Sequence, residues 1–277
     1  MRRACSAHTV DARYRPIAAG PEHAHAPEMA LSSRFAPLLL VLLAGAGSTV
    51  AIPSAAHDAP TAQGKVDIGP LLSRLGSYAL RFEQMEKRGS FLLKGRMDEL
   101  DTSGGVDGTK ELVLRVTATP GERVTEILKY IEDGEDKTGE ARAKQAKAKS
   151  EKPDAKKKFR LPFHPLEQQR YAFTLVERDA RSRGRVRVAF KPFERAETAF
   201  AGSAWVDEAS GEVLTLGFSP TKTPLFIDHV DIKMLFDNAT SLGRAPSSVW
   251  FEARGGLLII KKHYLGTVTL TDAKISF

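Results

Sequence analysis

YAFTLVERDARSRGRVRVAFKPFERAETAFAGSAWVDEASGEVLTLGF, residues 171–218, is the stretch on which the fold of this chain turns. Tyr171, Phe173 and Leu175 alternate with smaller or polar residues. Asp179 to Gly184 is rich in turn formers, and Val186, Val188 and Phe190 then resume the alternation around Arg185 and Arg187. A third run, Phe200 to Val206, leads into Asp207-Glu208-Ala209-Ser210-Gly211, and Val213 to Phe218 follows. Successive side chains of a strand point to opposite faces, so a period of two marks one buried and one solvated face, and the Gly/Asp/Ser breaks mark reversals. The stretch predicts antiparallel strands joined by hairpins.

The same rhythm continues on both sides. Downstream, Leu225 to Asn238 reads as a long strand or strand pair with Ile232, Met234 and Phe236 on one side. Gly255-Gly256 reads as a tight hairpin, and Leu257 to Lys262 and Thr267 to Phe277 as final strands. Upstream, Phe91, Leu93 and Met97 alternate with charged residues, Leu112, Leu114 and Val116 form another strand, Thr119-Pro120-Gly121-Glu122 turns the chain, and Val124 to Ile131 follows. Before them, Ile68, Leu71, Leu72, Leu75, Tyr78, Ala79, Phe82 and Met85 fall at three-to-four spacing, a single apolar stripe that predicts a helix from Asp67 to about Lys87, closed by Gly89. No strand–helix alternation exists to build a parallel sheet. The expected architecture is α+β, mainly antiparallel β, with ten or eleven strands in succession and one N-terminal helix packed on the sheet.

At its other end the chain carries addressing information. From Met29, Arg34 supplies a positive start, Phe35 to Gly45 an apolar core, and Thr49-Val50-Ala51 and Ser54-Ala55-Ala56 small residues suited to cleavage. Residues 29–56 read as a secretory signal peptide, 1–28 as an extension upstream of it, 57–65 as a polar linker, and 66–277 as a single domain. Cys5 is the one cysteine, which excludes a disulfide framework and a cysteine-ligated metal site.

Charge is unevenly placed. The whole chain has a net charge of +7. Beyond Ala51 there are 36 basic and 31 acidic residues, and the tract from Glu140 to Lys158 alone holds eight basic and three acidic ones. The excess thus sits in one insert, residues 132–158, and the remaining body is close to neutral, which argues against a nucleic-acid-binding body. Thr138 could cap a short helix through Lys149, but no apolar stripe is present to dock it. Lys144, Lys147, Lys149, Lys156, Lys157 and Lys158 read either as a solvated excursion or as an arm that meets an anionic membrane surface or an envelope protein.

Phosphate loops, zinc-helix motifs and nucleophile elbows are missing from the sequence. Asp228-His229-Val230-Asp231 has ligand-like residues, but neighbours on a strand point to opposite faces. Ser203 and Ser219 have no feature that makes either a nucleophile, and Trp205 and Trp250 suit sheet packing more than sugar stacking. No catalytic residue, metal or cofactor is expected. More informative are the apolar strands: Val213, Leu214, Leu216 and Phe218, and Leu257 to Ile260, read as apolar on both faces, and such strands need a cover on each side.

Signal peptide, long amphipathic helix and a meander of about eleven strands together resemble the LolA/LolB superfamily of periplasmic lipoprotein carriers and the N-terminal domain of RseB-type regulators. AGSAWVDEASGEVLTLGF is similar to the central hairpin of that superfamily, and IEDGEDKTGEARAKQAKAK followed by FRLPFHPLEQQRYAF is similar to outer-membrane lipoprotein-sorting-like proteins. The resemblance covers about residues 66–277. It implies an unclosed half-barrel whose concave apolar face holds acyl chains of lipid or lipoprotein, in a monomeric, non-enzymatic protein exported to the periplasm or envelope of a Gram-negative bacterium. The alternative of the same fold is an envelope sensor or protein-interaction module. The acyl-chain set expected from the alternation is Phe173, Leu175, Val188, Phe190, Leu214, Leu216, Ile232, Met234 and Phe236.

Overall fold

The computed structural model describes residues 67–151, 160–196, 198–223, 226–257 and 260–275. The expected signal peptide, linker and upstream extension, and Lys156, Lys157 and Lys158, lie outside these residues.

Helix α1 (Gly69–Arg88) comes first. Its buried side chains, Leu71, Leu75, Tyr78, Ala79, Phe82 and Met85, are those of the stripe, and Pro70 sits in the first turn, where no backbone donor is lost. Asp67 accepts a hydrogen bond from the Gly69 amide at 2.9 Å. Gly89 does not end the helix in the left-handed conformation. It is extended (φ −95°, ψ 148°) and already belongs to β1. A Cβ there would lie 2.5 Å from the Met85 carbonyl oxygen, so only glycine lets the chain leave the helix against its own last turn.

Strands β1 (Gly89–Leu100), β2 (Val106–Thr119), β3 (Glu122–Glu132) and the short β4 (Glu135–Asp136) form one meander. A second comprises β5 (Tyr171–Arg178), β6 (Arg185–Pro192), β7 (Phe200–Asp207), β8 (Val213–Pro220), β9 (Ile227–Leu235), β12 (Ser248–Leu257) and β13 (Ile260–Ile275), with a small separate ribbon of β10 (Asn238–Thr240) and β11 (Gly243–Ala245) inserted before β12. The main sheet has 11 strands in the order β4-β3-β2-β1-β13-β12-β9-β8-β7-β6-β5, all pairs antiparallel, with β4 and β5 as unjoined edges. The strands are antiparallel, as the alternation predicts, and the sheet is open, as the resemblance implies.

Register shows why it holds together. Residues directly opposite one another share a face, and one row runs Leu175, Val188, Ala204, Leu216, Met234, Val249, Val268, Gly95, Leu112, Tyr130 across ten strands. The next runs Phe173, Phe190, Gly202, Phe218, Ile232, Phe251, Gly266, Met97. Gly266 is a seat for an aromatic ring: a Cβ there would lie 2.0 Å from the Phe251 ring. Both rows face α1, whose stripe buries itself against them in the main core. Polar ties fix the helix in place: Tyr78 Oη donates to the Arg244 carbonyl at 2.7 Å, Arg81 Nε to Leu242 at 3.0 Å and Arg74 Nε to Glu208 at 2.9 Å.

Three local expectations are corrected. Gly255-Gly256 is not a turn. Both residues lie within β12, paired with Lys262 and Lys261, and a Cβ at Gly255 would meet the Phe226 carbonyl oxygen at 2.1 Å. Thr267 onward is not a separate strand, because β13 is continuous from Ile260 to Ile275. The two-sided look of β8 comes from a bulge: Trp205 pairs with Thr215 but Val206 with Val213, so Leu214 is an extra residue.

The charged insert is also more structured than a solvated excursion. Asp133 and Gly134 both have positive φ (51° and 83°), the Asp-Gly reversal that closes β3 onto β4, and α2 (Thr138–Glu151) follows. It has no apolar stripe, as expected. It docks instead by polar bonds on edge strand β3: Arg142 Nε donates to the Ile127 carbonyl at 2.8 Å and Nη2 to Leu128 at 3.3 Å, Gln145 donates to Thr125 at 3.1 Å, and the Tyr130 amide donates to Thr138 Oγ1 at 2.9 Å. Unpaired edge carbonyls invite association with other chains, and α2 covers this row. Lys144 and Lys147 face solvent.

Candidate ligand-binding crevice

Eight of the nine residues expected to line an acyl site, all but the bulged Leu214, lie on the inner face. They are not open. Val188 and Phe236 are wholly buried, and Phe190, Leu216 and Ile232 nearly so. The cover is α1 together with the segment after the charged insert, where Leu161 and Phe163 turn inward: Phe163 packs against Phe190 edge-on (centroids 5.6 Å apart) and against Phe173 (5.7 Å). Short helix α3 (Pro165–Gln168) is capped by His164, whose Nδ1 accepts from the Leu166 amide at 3.2 Å and whose Nε2 stands 3.0 Å from Glu83 Oε2 on α1. The sequence did not show that Leu161 and Phe163 fill the sheet.

An opening remains at the other end of α1. Because the chain passes from Arg88 straight into β1, the helix stops short of the second apolar cluster, Leu93, Leu114, Val116, Val268 and Leu270. Between them lies a crevice walled by Phe82, Met85 and Glu86 of α1, Phe91 of β1, Met234 of β9, Val249 of β12, and Leu270 and Ile275 of β13, with Ala245 and Pro246 along one rim and Arg123 and Lys274 at the mouth. Met234 is the one member of the expected set that lines it. Its walls are overwhelmingly apolar and its volume is about 70 Å³, roughly that of two waters at their liquid density of about 30 Å³ each. Burial pushes the Glu86 carboxyl up to about 7 against the opposing pull of Arg123 and Lys87, and burial lowers the Arg123 guanidinium. A roomier depression of about 250 Å³ on the outer face, beside Lys94, Arg96 and Glu111, is shallow, and its Arg96 is held by Asp98 and Glu111.

The outer face brings polar residues together. Ser219 Oγ donates to Asp231, whose other oxygen lies 3.0 Å from His229 Nε2. The hydroxyl thus meets the carboxylate and not the imidazole, which is not the order of a hydroxyl–imidazole–carboxylate triad. His263 Nε2 and Arg254 both approach Glu252. Among the described residues, no group of three or more His, Cys, Asp or Glu stands where it could hold a metal ion. Trp205 lies beneath Arg185 and Arg187, at 4.8 and 5.9 Å, and Trp250 is exposed.

A LolA superfamily protein from Nitrosomonas europaea is similar at 12% identity, over 72% of this chain and 93% of that one, with a TM-score of 0.33. A DUF1329 family protein from Desulfovibrio piger is similar at 8% identity, over 75% and 93%, TM-score 0.31, and MucB of the Pseudomonas aeruginosa MucA/MucB complex at 12%, over 72% and 94%, TM-score 0.22. The likeness is one of fold. At these scores the superpositions are loose and carry nothing about activity. No protein-family model and no curated protein matches the chain.

Proposed function

We propose that this is a non-enzymatic binding protein of the bacterial envelope that holds an acyl chain of a lipid or lipoprotein on the inner face of its sheet, entering by the crevice at the C-terminal end of α1. One observation carries this reading: the apolar inner face continues beyond the end of α1 into the second cluster, Leu93, Leu114, Val116, Val268 and Leu270, and the gap left there is walled almost wholly by hydrocarbon. Each methylene removed from water contributes about 0.8 kcal/mol, so a chain seated there binds by length and not by charge. At about 70 Å³ the crevice takes only the tip of such a chain. Deeper entry requires α1 or the β10–β11 ribbon to move, and Phe173, Leu175, Val188, Phe190, Leu216, Ile232 and Phe236 then form the wall it reaches. Export to the periplasm rests on the signal-peptide pattern of residues 29–56. Transfer of cargo between membranes is the carrier form of this activity.

The test is a titration of folded, delipidated protein with a fluorescent acyl probe bearing an uncharged head. Saturable binding is expected, and a charge on the crevice wall, Val249→Asp, should abolish it while circular dichroism stays unchanged. No saturable binding by folded wild-type protein overturns the proposal. The second reading, a protein-interaction module, is favoured by the bare edge of β5, beside which Val176 (46%) and Phe193 (70%) are exposed. Capture of an extended peptide there without any acyl binding would establish it instead.

A further inference from the structure

We propose that Arg123 and Glu86 are a head-group station, and that the amphiphile taken by the crevice is one whose polar end is anionic, a carboxylate or a phosphate. This rests on the acyl-binding reading above and adds to it which lipids are taken. Apolar walls alone would leave the head group unread, so the question is what the two charged side chains at the crevice are for.

Arg123 stands near the start of β3, opposite Ala118 on β2, and reaches over the inner face with its guanidinium carbon 6.0 Å above the Phe91 ring. Glu86 comes from the last turn of α1. Both line the crevice, both are partly buried, and each feels the other's charge without a direct ion pair between them. Neither makes a side-chain hydrogen bond or salt bridge to another described residue, whereas the neighbouring Lys87 is held by Glu83 at 3.3 Å. A guanidinium has five donors in a planar fork, and withdrawing it from water without an acceptor is costly. Setting one on an aromatic ring beside a hydrocarbon pocket, and leaving its fork without a protein carboxylate, makes a seat for an acceptor from elsewhere. Carboxylate and phosphate fit that fork bidentately.

The local balance of charge selects the sign. Arg123 from β3 and Lys87 from its own helix act on Glu86, and Lys274 of β13 lines the same crevice, so cations outnumber the one carboxyl there. Glu86 also yields its charge readily: near neutral pH it is half protonated, because burial disfavours the ionised form. A cationic head would meet Arg123. An anionic head meets Arg123 and Lys274, and below about pH 7 a Glu86 that no longer repels it.

The experiment uses the full chain and three single-tailed probes of equal length: laurate, dodecyl phosphate and dodecyl maltoside. Both anionic probes should bind about tenfold or more tightly than the neutral one, the worth of a charge-assisted hydrogen bond. Arg123→Met, which keeps an unbranched side chain beside Phe91, should erase that advantage. Raising salt should shrink the advantage in the wild-type protein, which serves if the variant does not fold. Glu86→Gln should tighten the anionic probes above pH 7 and flatten their pH dependence. Which anionic probe binds better distinguishes a carboxylate head from a phosphate one. Equal binding of all three probes, or no effect of Arg123→Met on a folded protein, overturns this inference and leaves the acyl-binding reading standing. If dodecyl maltoside also fails to bind, that reading falls as well.

Discussion

Helix α2 gives the sharpest test of how this fold handles a charged insert. Its 14 residues have no apolar stripe, and helices of about 12–15 residues are marginal by themselves in water. The polar bonds to β3 are therefore what orders it. Changing Arg142 and Gln145 together to alanine removes three of them, those to Ile127, Leu128 and Thr125. Alanine is the strongest helix former, so intrinsic helix propensity does not fall and any loss of order reports the docking alone. Each such bond contributes about 0.5–1.5 kcal/mol net, and these are near solvent, at the low end. The loss is then about 1.5–2 kcal/mol, confined to the helix. Amide hydrogen exchange over residues 138–148 should quicken by roughly ten- to thirtyfold. The urea midpoint of the body should not move, because α2 contributes no residue to either apolar cluster. Unchanged exchange in the double variant would show that something other than the edge carbonyls holds α2, and an equal loss of global stability would show that it is part of the core.

Further outcomes follow from burial and close approach. Leu75 is fully buried under the sheet, and Leu75→Ala should cost about 2–5 kcal/mol in chemical denaturation. Gly255→Val forces a side chain against the Phe226 carbonyl and should lower stability by about 1–3 kcal/mol, with faster exchange along β9 and β12. Glu86 has a folded-state value raised from 4.5 to about 7. The folded protein thus holds its proton more tightly than the unfolded chain, and stability falls as pH rises from about 4.5 to about 7, by at most about 3 kcal/mol at 1.36 kcal/mol per unit. Glu86→Gln should remove that slope, and a slope that persists would place it elsewhere.

Much of this was legible in the sequence. Period-two spacing located the strands because their inner faces are apolar and their outer faces meet water, and the α1 stripe matched its buried residues because a single helix has a single face to bury. What stayed hidden depended on register, which alternation cannot reveal. Leu214 obeys the local pattern but is pushed out of the row by a bulge. Gly255 and Gly266 look like reversals yet sit mid-strand, where a partner backbone or an aromatic ring comes too near for a Cβ. Asp133-Gly134 was a readable hairpin signal, obscured by the charge around it. The expected ligand set reached one face, but a list of apolar residues cannot say whether protein already fills the space above them. Phe163 does so from ten residues before Phe173. Arg123 and Glu86 had no signal at all, since each is an ordinary charged residue until the two elements carrying them meet.

The pairing of β1 with β13 sets an order in time. Its partners are distant in the chain, 163 residues apart at Leu100 and His263 and 186 at Gly89 and Ile275. Every other pair in the main sheet, apart from the short skip over the β10–β11 ribbon, is between strands consecutive in sequence. Each meander can therefore form by local steps, whereas the seam between them closes one very long loop and pays its entropy in a single event. Until then, β1 and β13 are both exposed edges with apolar inner faces. A chain in which the seam has not yet closed exposes two apolar-faced edges at once, which is where aggregation of the unfinished sheet would begin.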